Sequence, residues 1–168
     1  LELIVAFRPD MRTFHLPVRP EGDYEFEATV VRGPKSLSAV LGVYIDGTYN
    51  AHIELADRAI GIEWIDGHDK RNNGTMRELQ TPITAGKSVR LLVRVEYLGP
   101  DVSISAAVNG QHIVSWRGRK DRLWSHETAD RLWLGSYQSA FRYLGARLQM
   151  LCGTATVLET DAGHVSNP

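Results

Sequence analysis

Carboxylates and an imidazole are concentrated between residues 52 and 66 of the 168-residue chain. Glu54, Glu63 and Asp66 lie on or after two strands that we predict to be neighbours in sequence. His52 precedes Glu54 by two residues, so the two side chains point to the same face of an extended strand. If the strands pair, the carboxylates could line one face, and their separation would suit a retaining or an inverting glycoside hydrolase. The alternative is that they alternate outward into water.

The longest polar stretch, residues 66–74 (DGHDKRNNG), is rich in oxygen atoms that could bind calcium. It does not follow the EF-hand pattern, because counting from Asp69 places Arg71 at a ligand position and Gln80 where the closing glutamate should be. Lys70 and Arg71 also oppose a bound cation. We therefore predict a solvated loop, no metal site and no cofactor, since structural calcium is not supported by the motif.

Aromatic side chains could present flat apolar faces that stack on the C–H face of a sugar. Trp124 and Tyr137 lie in or beside late loops and are candidates for the walls of such a groove. Trp64 and Trp116 fall on apolar strand faces, where we expect them to be part of the core. The alternative for the loop rings is that they close the ends of the core.

Strands must position these side chains, because alternation of apolar and polar residues dominates the sequence. Between residues 87 and 117 three segments alternate with the period of a half-buried strand. Asn109-Gly110 between the last two predicts a tight hairpin. Ser38–Asp46 is nearly apolar throughout, so we expect cover on both faces. About twelve short strands and no convincing long helix predict an all-β fold with two packed antiparallel sheets.

Composition restricts the kinds of partner. The chain is 43% hydrophobic and 23% charged with a net charge of -1, so neither nucleic acid nor membrane insertion is expected. The single cysteine, Cys152, excludes an internal disulfide and a multi-cysteine zinc site. We expect residues 1–158 to form a single β-sandwich domain and residues 159–168 a C-terminal tail, since few apolar residues follow Leu158.

Three segments resemble the concanavalin A-like lectin/glucanase superfamily: DYEFEATVVR from Asp23, VRLLVRVEYLGPDVSISAAVNGQHIVSW from Val89 and LWLGSYQSAFRYLGARLQML from Leu132. GIEWIDG from Gly61 resembles bacterial 3-keto-disaccharide hydrolase-like domains, and the chain is also similar to laminin-G-like sandwich domains. The resemblance implies a two-sheet antiparallel jelly-roll β-sandwich of the concanavalin A-like lectin type. By analogy with that fold it favours a secreted or cell-surface location, although the sequence leaves the compartment open. The Glu-x-Asp-x-x-Glu motif of the superfamily's glucanases, whose glutamates supply nucleophile and acid, is absent from the sequence.

Three hypotheses on function follow. The first is a non-catalytic, lectin-like carbohydrate-binding module of a larger bacterial protein, with an oligo- or polysaccharide as partner. The second is a glycan-active hydrolase or lyase on the same fold, and the third is a structural or protein-interaction module without a sugar site. Carboxylates that converge in a deep groove with shifted pKa values would favour the enzyme. A shallow groove of rings and amides would favour binding.

A polar sheet face is the predicted place for a ligand, with the 66–74 loop as a rim and the late aromatic residues as walls. No catalytic residue is assigned. The candidate ligand-binding residues are His52, Glu54, Glu63, Asp66, His68, Asn72, Arg94, Glu96, Trp124 and Tyr137.

Overall fold

The protein is built almost entirely from antiparallel strands in the computed structural model, which describes residues 2–3, 13–34, 38–126, 130–137 and 141–158. One short 3₁₀ helix, Lys120–Arg122, interrupts the strands of the described part. The strands are β1 (Glu2–Leu3), β2 (Thr13–His15), β3 (Val18–Glu21), β4 (Tyr24–Val31), β5 (Ser38–Asp46), β6 (Tyr49–Ala56), β7 (Ala59–Glu63), β8 (Arg77–Glu78), β9 (Ser88–Leu98), β10 (Asp101–Val108), β11 (Gln111–Arg119), β12 (Trp124–Ser125), β13 (Trp133–Tyr137), β14 (Arg142–Met150) and β15 (Thr154–Val157).

Two large sheets contain nearly all of these strands. In the described residues, sheet A has the order β1-β14-β4-β9-β10-β11, and sheet B has the order β2-β13-β5-β6-β7-β8 with β12 also pairing with β6. Strands β3 and β15 form a small third sheet. Neighbouring strands run antiparallel, for example β4 with β9 and β5 with β6. The predicted fold class, an all-β two-sheet antiparallel jelly-roll sandwich, is confirmed.

The core lies between the sheets and is filled by alternate side chains of each strand. Phe26 and Leu91 from sheet A and Leu41 and Ile53 from sheet B are fully buried. Each such side chain contributes about 1.5–3 kcal/mol when it leaves water, so the period-2 pattern decides which face of a strand turns inward. Strand β5 is buried at every position except the last, which confirms the prediction that both of its faces are covered.

The hairpin predicted at Asn109-Gly110 is confirmed. The two residues have φ values of 52° and 84° and join β10 to β11. Asn109 also accepts a hydrogen bond from the backbone N–H of Arg90 through its side-chain oxygen, at 2.9 Å. This contact ties the turn to the neighbouring strand β9.

Two parts of the chain differ from the sequence pattern. The alternation in the last long strand predicts that Leu144 faces the core and Tyr143 faces solvent. The structure has the reverse, because the register of β14 against β4 shifts between Tyr143 and Gly145. The sequence pattern over residues 11–18 predicts one strand, whereas β2 and β3 are separated by a short break. The expected tail, residues 159–168, lies outside the described residues.

The described residues contain no helix with the length and apolar character that a membrane span requires.

Candidate functional site

The outer face of sheet B carries polar side chains at its centre. Strand β6 directs His52 and Glu54 away from the core because Ala51, Ile53 and Leu55 fill its inner face. The pairing of β6 with β7 then decides what lies beside these two polar residues.

Glu63 of β7 lies opposite His52, and Gly61 lies opposite Glu54. A Cβ atom on Gly61 would be 2.7 Å from the Cβ of Lys70 and 2.9 Å from its Cδ. The missing side chain therefore makes room for the stem of Lys70 to cross β7. A glycine inside a strand often marks such a close approach.

Lys70 joins the two glutamates. Its ammonium donates to Oε2 of Glu54 and to Oε1 of Glu63, each at 2.6 Å. The backbone N–H of Lys70 also donates to Oε2 of Glu63, at 3.2 Å. The three side chains are nearly buried, and charge-assisted hydrogen bonds of this length are among the strong ones in proteins. The cluster therefore holds its geometry without a ligand.

The two carboxyls of this cluster titrate differently. Burial and the hydrogen bond with Glu54 raise the pKa of Glu63 above its usual value, although Lys70 acts in the opposite direction. Burial also acts to raise the pKa of Glu54, but hydrogen bonds from Glu63, Lys70 and Ser38 outweigh it and lower that pKa. Burial acts to lower the pKa of Lys70, and the two carboxylates reverse this and raise it. Glu63 is thus the first of the pair to take up a proton, and Lys70 stays charged.

The loop that carries Lys70 is packed onto β7. The side-chain amide of Asn73 donates to the carbonyl of Ile62 at 2.8 Å, and the hydroxyl of Thr75 accepts from the N–H of Ile62 at 3.0 Å. Asp69 accepts the N–H of Asn72 through its carboxylate at 2.9 Å. The prediction of a solvated loop is therefore wrong for Lys70, which is buried, and the loop is followed by Thr75, which is buried too.

A pocket of about 310 Å³ opens above this cluster. Trp64 forms part of its wall and is 39% exposed, so the expectation that Trp64 belongs to the core is wrong. Its φ of 66° explains the difference, because a left-handed residue at the end of β7 breaks the strand alternation. Such backbone outliers are frequent at ligand sites. The pocket is lined by Ser38, Val40, His52, Glu54, Glu63, Trp64, Asp69, Lys70 and Arg71.

Aromatic rings enclose His52 at one end of this pocket. Trp133 lies over Gly42, where a Cβ atom would be 1.8 Å from the indole Nε1. The rings of Trp133 and Trp124 meet His52 edge-on, with centroids 4.9 and 4.7 Å from the imidazole, and His126 stacks on Trp124. Burial lowers the pKa of His52 from 6.5 to about 4, so the imidazole is neutral near pH 7. It can act as a hydrogen-bonding group there, but not as a cation.

Three of the predicted ligand-binding residues, His52, Glu54 and Glu63, line the pocket together. Trp124 contacts His52 without being part of the lining. The side chain of Tyr137 lies outside the described part of the structure.

The other predicted residues lie elsewhere. Asp66 is exposed and forms an ion pair with Arg122 at 2.6 Å. His68 and Asn72 are exposed on the loop. Arg94 and Glu96 belong to β9 of sheet A and hydrogen-bond to each other at 2.8 Å. Because sheet A and sheet B turn their outer faces in opposite directions, this pair does not extend the floor made by β6 and β7.

Sequence reasoning missed Lys70 and Trp64 as site residues. A signal for Lys70 was available, because Gly61 interrupts an otherwise apolar strand and predicts the close approach of another group. No comparable signal marks the left-handed backbone of Trp64, since tryptophan rarely adopts it. No group of three histidine, cysteine, aspartate or glutamate side chains in the described residues is arranged to hold a metal ion.

Comparison with known proteins gives structural likeness only. No family model and no curated protein matches the sequence. Caenorhabditis elegans galectin LEC-6 is similar with a TM-score of 0.47 and 12% identity, over 86% of this chain and 99% of that one. Chicken galectin 2 has a TM-score of 0.47 and 11% identity, over 81% of this chain and 100% of that one. The ancestral congerin Con-anc has a TM-score of 0.48 and 13% identity, over 82% of this chain and 98% of that one. Likeness at this level assigns no residue role, and it gives no support to the resemblance to 3-keto-disaccharide hydrolase-like domains.

Proposed function

We propose that the pocket on the outer face of sheet B binds a saccharide. The observation that carries this proposal is the half-exposed indole of Trp64 beside the ordered Glu54–Lys70–Glu63 cluster, all within one pocket. Sugars present an apolar C–H face and a rim of hydroxyl groups. An aromatic wall next to fixed polar groups is complementary to both features.

The polar groups of the pocket suit hydroxyl ligands. Glu54 and Glu63 offer carboxylate oxygens that accept hydrogen bonds from hydroxyls, and Lys70 keeps them in place. Both glutamates stand on strands, which hold side chains more rigidly than loops do. At about 310 Å³ the pocket is at the small end of the range for small-molecule sites. It therefore suits a short part of a glycan. We propose that this glycan binds without a cofactor and that the domain is one module of a larger protein.

Binding to a glycan array, followed by titration of the strongest glycan, tests the proposal. Trp64→Ala should weaken the binding of that glycan by about tenfold to a hundredfold, because the loss of a stacking contact costs about 1–3 kcal/mol. Leu98→Ala is the matched control, because Leu98 is 42% exposed but belongs to sheet A. Its affinity should equal that of the wild type. The absence of any binding on the array, or equal affinity for Trp64→Ala, would contradict the assignment.

A glycan-active enzyme is the second candidate, because two carboxyls with oppositely shifted pKa values converge in the same pocket. This is the pattern expected of an acid and its partner in glycoside hydrolysis. Against it, Lys70 already occupies both carboxylates through direct hydrogen bonds. Incubation of the bound glycan with the protein, with chromatography of the products, separates the two functions. Cleavage that is lost in Glu63→Gln would favour the enzyme.

A further inference from the structure

A two-residue strand of sheet B places a tryptophan ring on the outer face of the sheet next to the pocket. Strand β12 pairs with the start of β6, which brings Trp124 beside Asn50. Asn50, His52 and Glu54 occupy alternate positions of β6 and form one polar row, which spans about 14 Å at the usual rise per residue. The Asn50 end of this row lies beside Trp124, whose ring contacts His52, and the Glu54 end lies in the open pocket.

Polar atoms next to Trp124 are buried without hydrogen-bond partners among the described residues. Asn50 has no exposed surface, and neither its Nδ2 nor its Oδ1 has a partner among the described residues. The Nε2 atom of His52 is also buried and has no hydrogen-bond partner among the described residues. An unsatisfied buried donor or acceptor costs about 1–3 kcal/mol. The closed arrangement therefore carries an energetic penalty that a suitable ligand could remove.

Trp124 and Ser125, the cover, are held to β6 by a backbone ladder of two residue pairs, and the N–H of His126 donates to the carbonyl of Thr48 at 3.1 Å. The side-chain contacts around them lie at the surface. The hydroxyl of Ser125 bonds to that of Thr48 at 2.9 Å, in an exposed position. The ion pair of Arg122 with Asp66 is also exposed, and such pairs stabilise a protein by little. Leu123, which is buried, anchors the chain immediately before the cover. Because the ladder with β6 is only two residue pairs long, Trp124 and Ser125 can separate from β6 while Leu123 stays in the core.

We propose that Trp124 and Ser125 form a displaceable cover over a second hydroxyl-binding subsite, made by Asn50 and the Nε2 atom of His52. The proposal rests on the saccharide-binding function of the neighbouring pocket. A hydroxyl group both donates and accepts, which matches a carboxamide that offers a donor and an acceptor together. The ligand class is a saccharide of several units. A short saccharide occupies the pocket with the cover closed, and a longer one displaces Trp124 and follows the row to Asn50.

A reversible disulfide across the cover tests whether it must open. The substitutions are Thr48→Cys and Ser125→Cys, together with Cys152→Ser to remove the natural thiol. Cello-, malto- and xylo-oligosaccharides of two and six units serve as probes, and the reduced form of the same protein is the control. The reduced form should bind a hexasaccharide about tenfold more tightly than the oxidised form. The two forms should bind the matching disaccharide equally.

Equal hexasaccharide binding by the two forms would overturn the cover proposal and leave the proposed function of the pocket intact. Binding of none of these saccharides, with a blank glycan array, would overturn the saccharide assignment of both sites.

A measurement of thermal stability without ligand tests the cover proposal independently of saccharide binding. Asn50→Leu should raise the melting temperature, because an apolar side chain of similar size removes the unsatisfied amide. Asn73→Leu is the matched control and should lower it, since the amide of Asn73 donates to the carbonyl of Ile62. A fall for Asn50→Leu as large as that for Asn73→Leu would show that the amide is satisfied in the closed state. That result would overturn the cover proposal even if saccharides bind.

Discussion

At the scale of single residues, one ammonium placed between two nearly buried carboxylates determines the geometry and the charge of the site. Glu54, Glu63 and Lys70 each satisfy the charge of another, so the cluster is tolerated at low exposure. Removing Lys70 would leave the two carboxylates uncompensated. Such a cluster contributes little net stability relative to an apolar equivalent, but its disruption is costly. Its role is therefore better understood as positioning than as stabilisation.

Lys70→Met should lower the free energy of unfolding by roughly 3 kcal/mol at pH 7, because the two glutamates then face each other without a cation. The matched control is the triple variant Lys70→Met with Glu54→Gln and Glu63→Gln, which removes the charges as well. It should recover most of the loss. Urea unfolding of the three proteins measures the difference, and a Lys70→Met variant as stable as the wild type would show that the cluster is hydrated and weak.

His52 should make stability depend on pH. Its pKa is lowered from 6.5 to about 4 in the folded state, because burial disfavours the charged imidazole. Between these values the unfolded chain takes up a proton that the folded chain does not. The contribution is thus fully present above pH 6.5 and is lost as the pH falls through 4, by roughly 3 kcal/mol in total.

Comparison with His52→Gln isolates this effect, since other groups titrate alike in both proteins. The unfolding free energy of the wild type minus that of the variant should decrease as the pH falls from 7 to 4, because only the wild type carries the imidazole. A constant difference over that range would show that His52 is hydrated in the folded protein.

Among the elements, two glycines decide how loops and neighbouring strands meet the outer face of sheet B. Gly61 admits the stem of Lys70, and Gly42 admits the indole of Trp133. Both lie in strand interiors, where glycine is otherwise unfavourable. Their sheet carries side chains folded flat against it, which explains why β5 is buried on its outer face as well as its inner face.

Gly42→Ala should destabilise the protein by about 1–3 kcal/mol, because the new Cβ would overlap the indole of Trp133. The cost should nearly vanish when the same substitution is made in a Trp133→Ala background, where the space is free. A double-mutant cycle from chemical unfolding gives this coupling. An equal cost in both backgrounds would mean that the backbone of β5, not the ring, is the obstacle.

The sequence was sufficient for the strands and for part of the site, for reasons that differ between residues. Alternation predicts that His52 and Glu54 share a face, and the structure has them together. Alternation cannot say which strands belong to the same sheet, so Arg94 and Glu96 were expected in the same floor although they lie on sheet A. A one-residue register shift in β14 or one left-handed residue at Trp64 reverses the face of a side chain without a mark in the hydrophobic pattern.

At the scale of the whole fold, two tyrosine hydroxyls of the described residues join the sheets through the core. Tyr24 of sheet A donates to the carbonyl of Tyr44 in sheet B at 2.6 Å. Tyr143 of sheet A lies 2.6 Å from the carbonyl oxygen of Gly135 and accepts from the N–H of Val40 at 3.2 Å, both in sheet B. Both rings are buried, and burial raises the pKa of each phenol. Hydrophobic contact is non-directional, so these polar contacts give the sandwich a directional link between its sheets.

Tyr143→Phe should lower the free energy of unfolding by about 1–3 kcal/mol, since the ring still fills its space but the backbone groups of sheet B lose a buried partner. Tyr24→Phe should cost less, because its hydroxyl contacts a single carbonyl among the described residues. Tyr49→Phe is the control, as the Tyr49 ring is only partly buried against the core. Urea titrations at pH 7 should rank the losses as Tyr143, then Tyr24, then Tyr49, with little change in the slope of unfolding against urea. If Tyr143→Phe and Tyr49→Phe unfold at the same urea concentration, burial of apolar surface alone holds the two sheets in place and the hydroxyl contacts contribute nothing to their alignment.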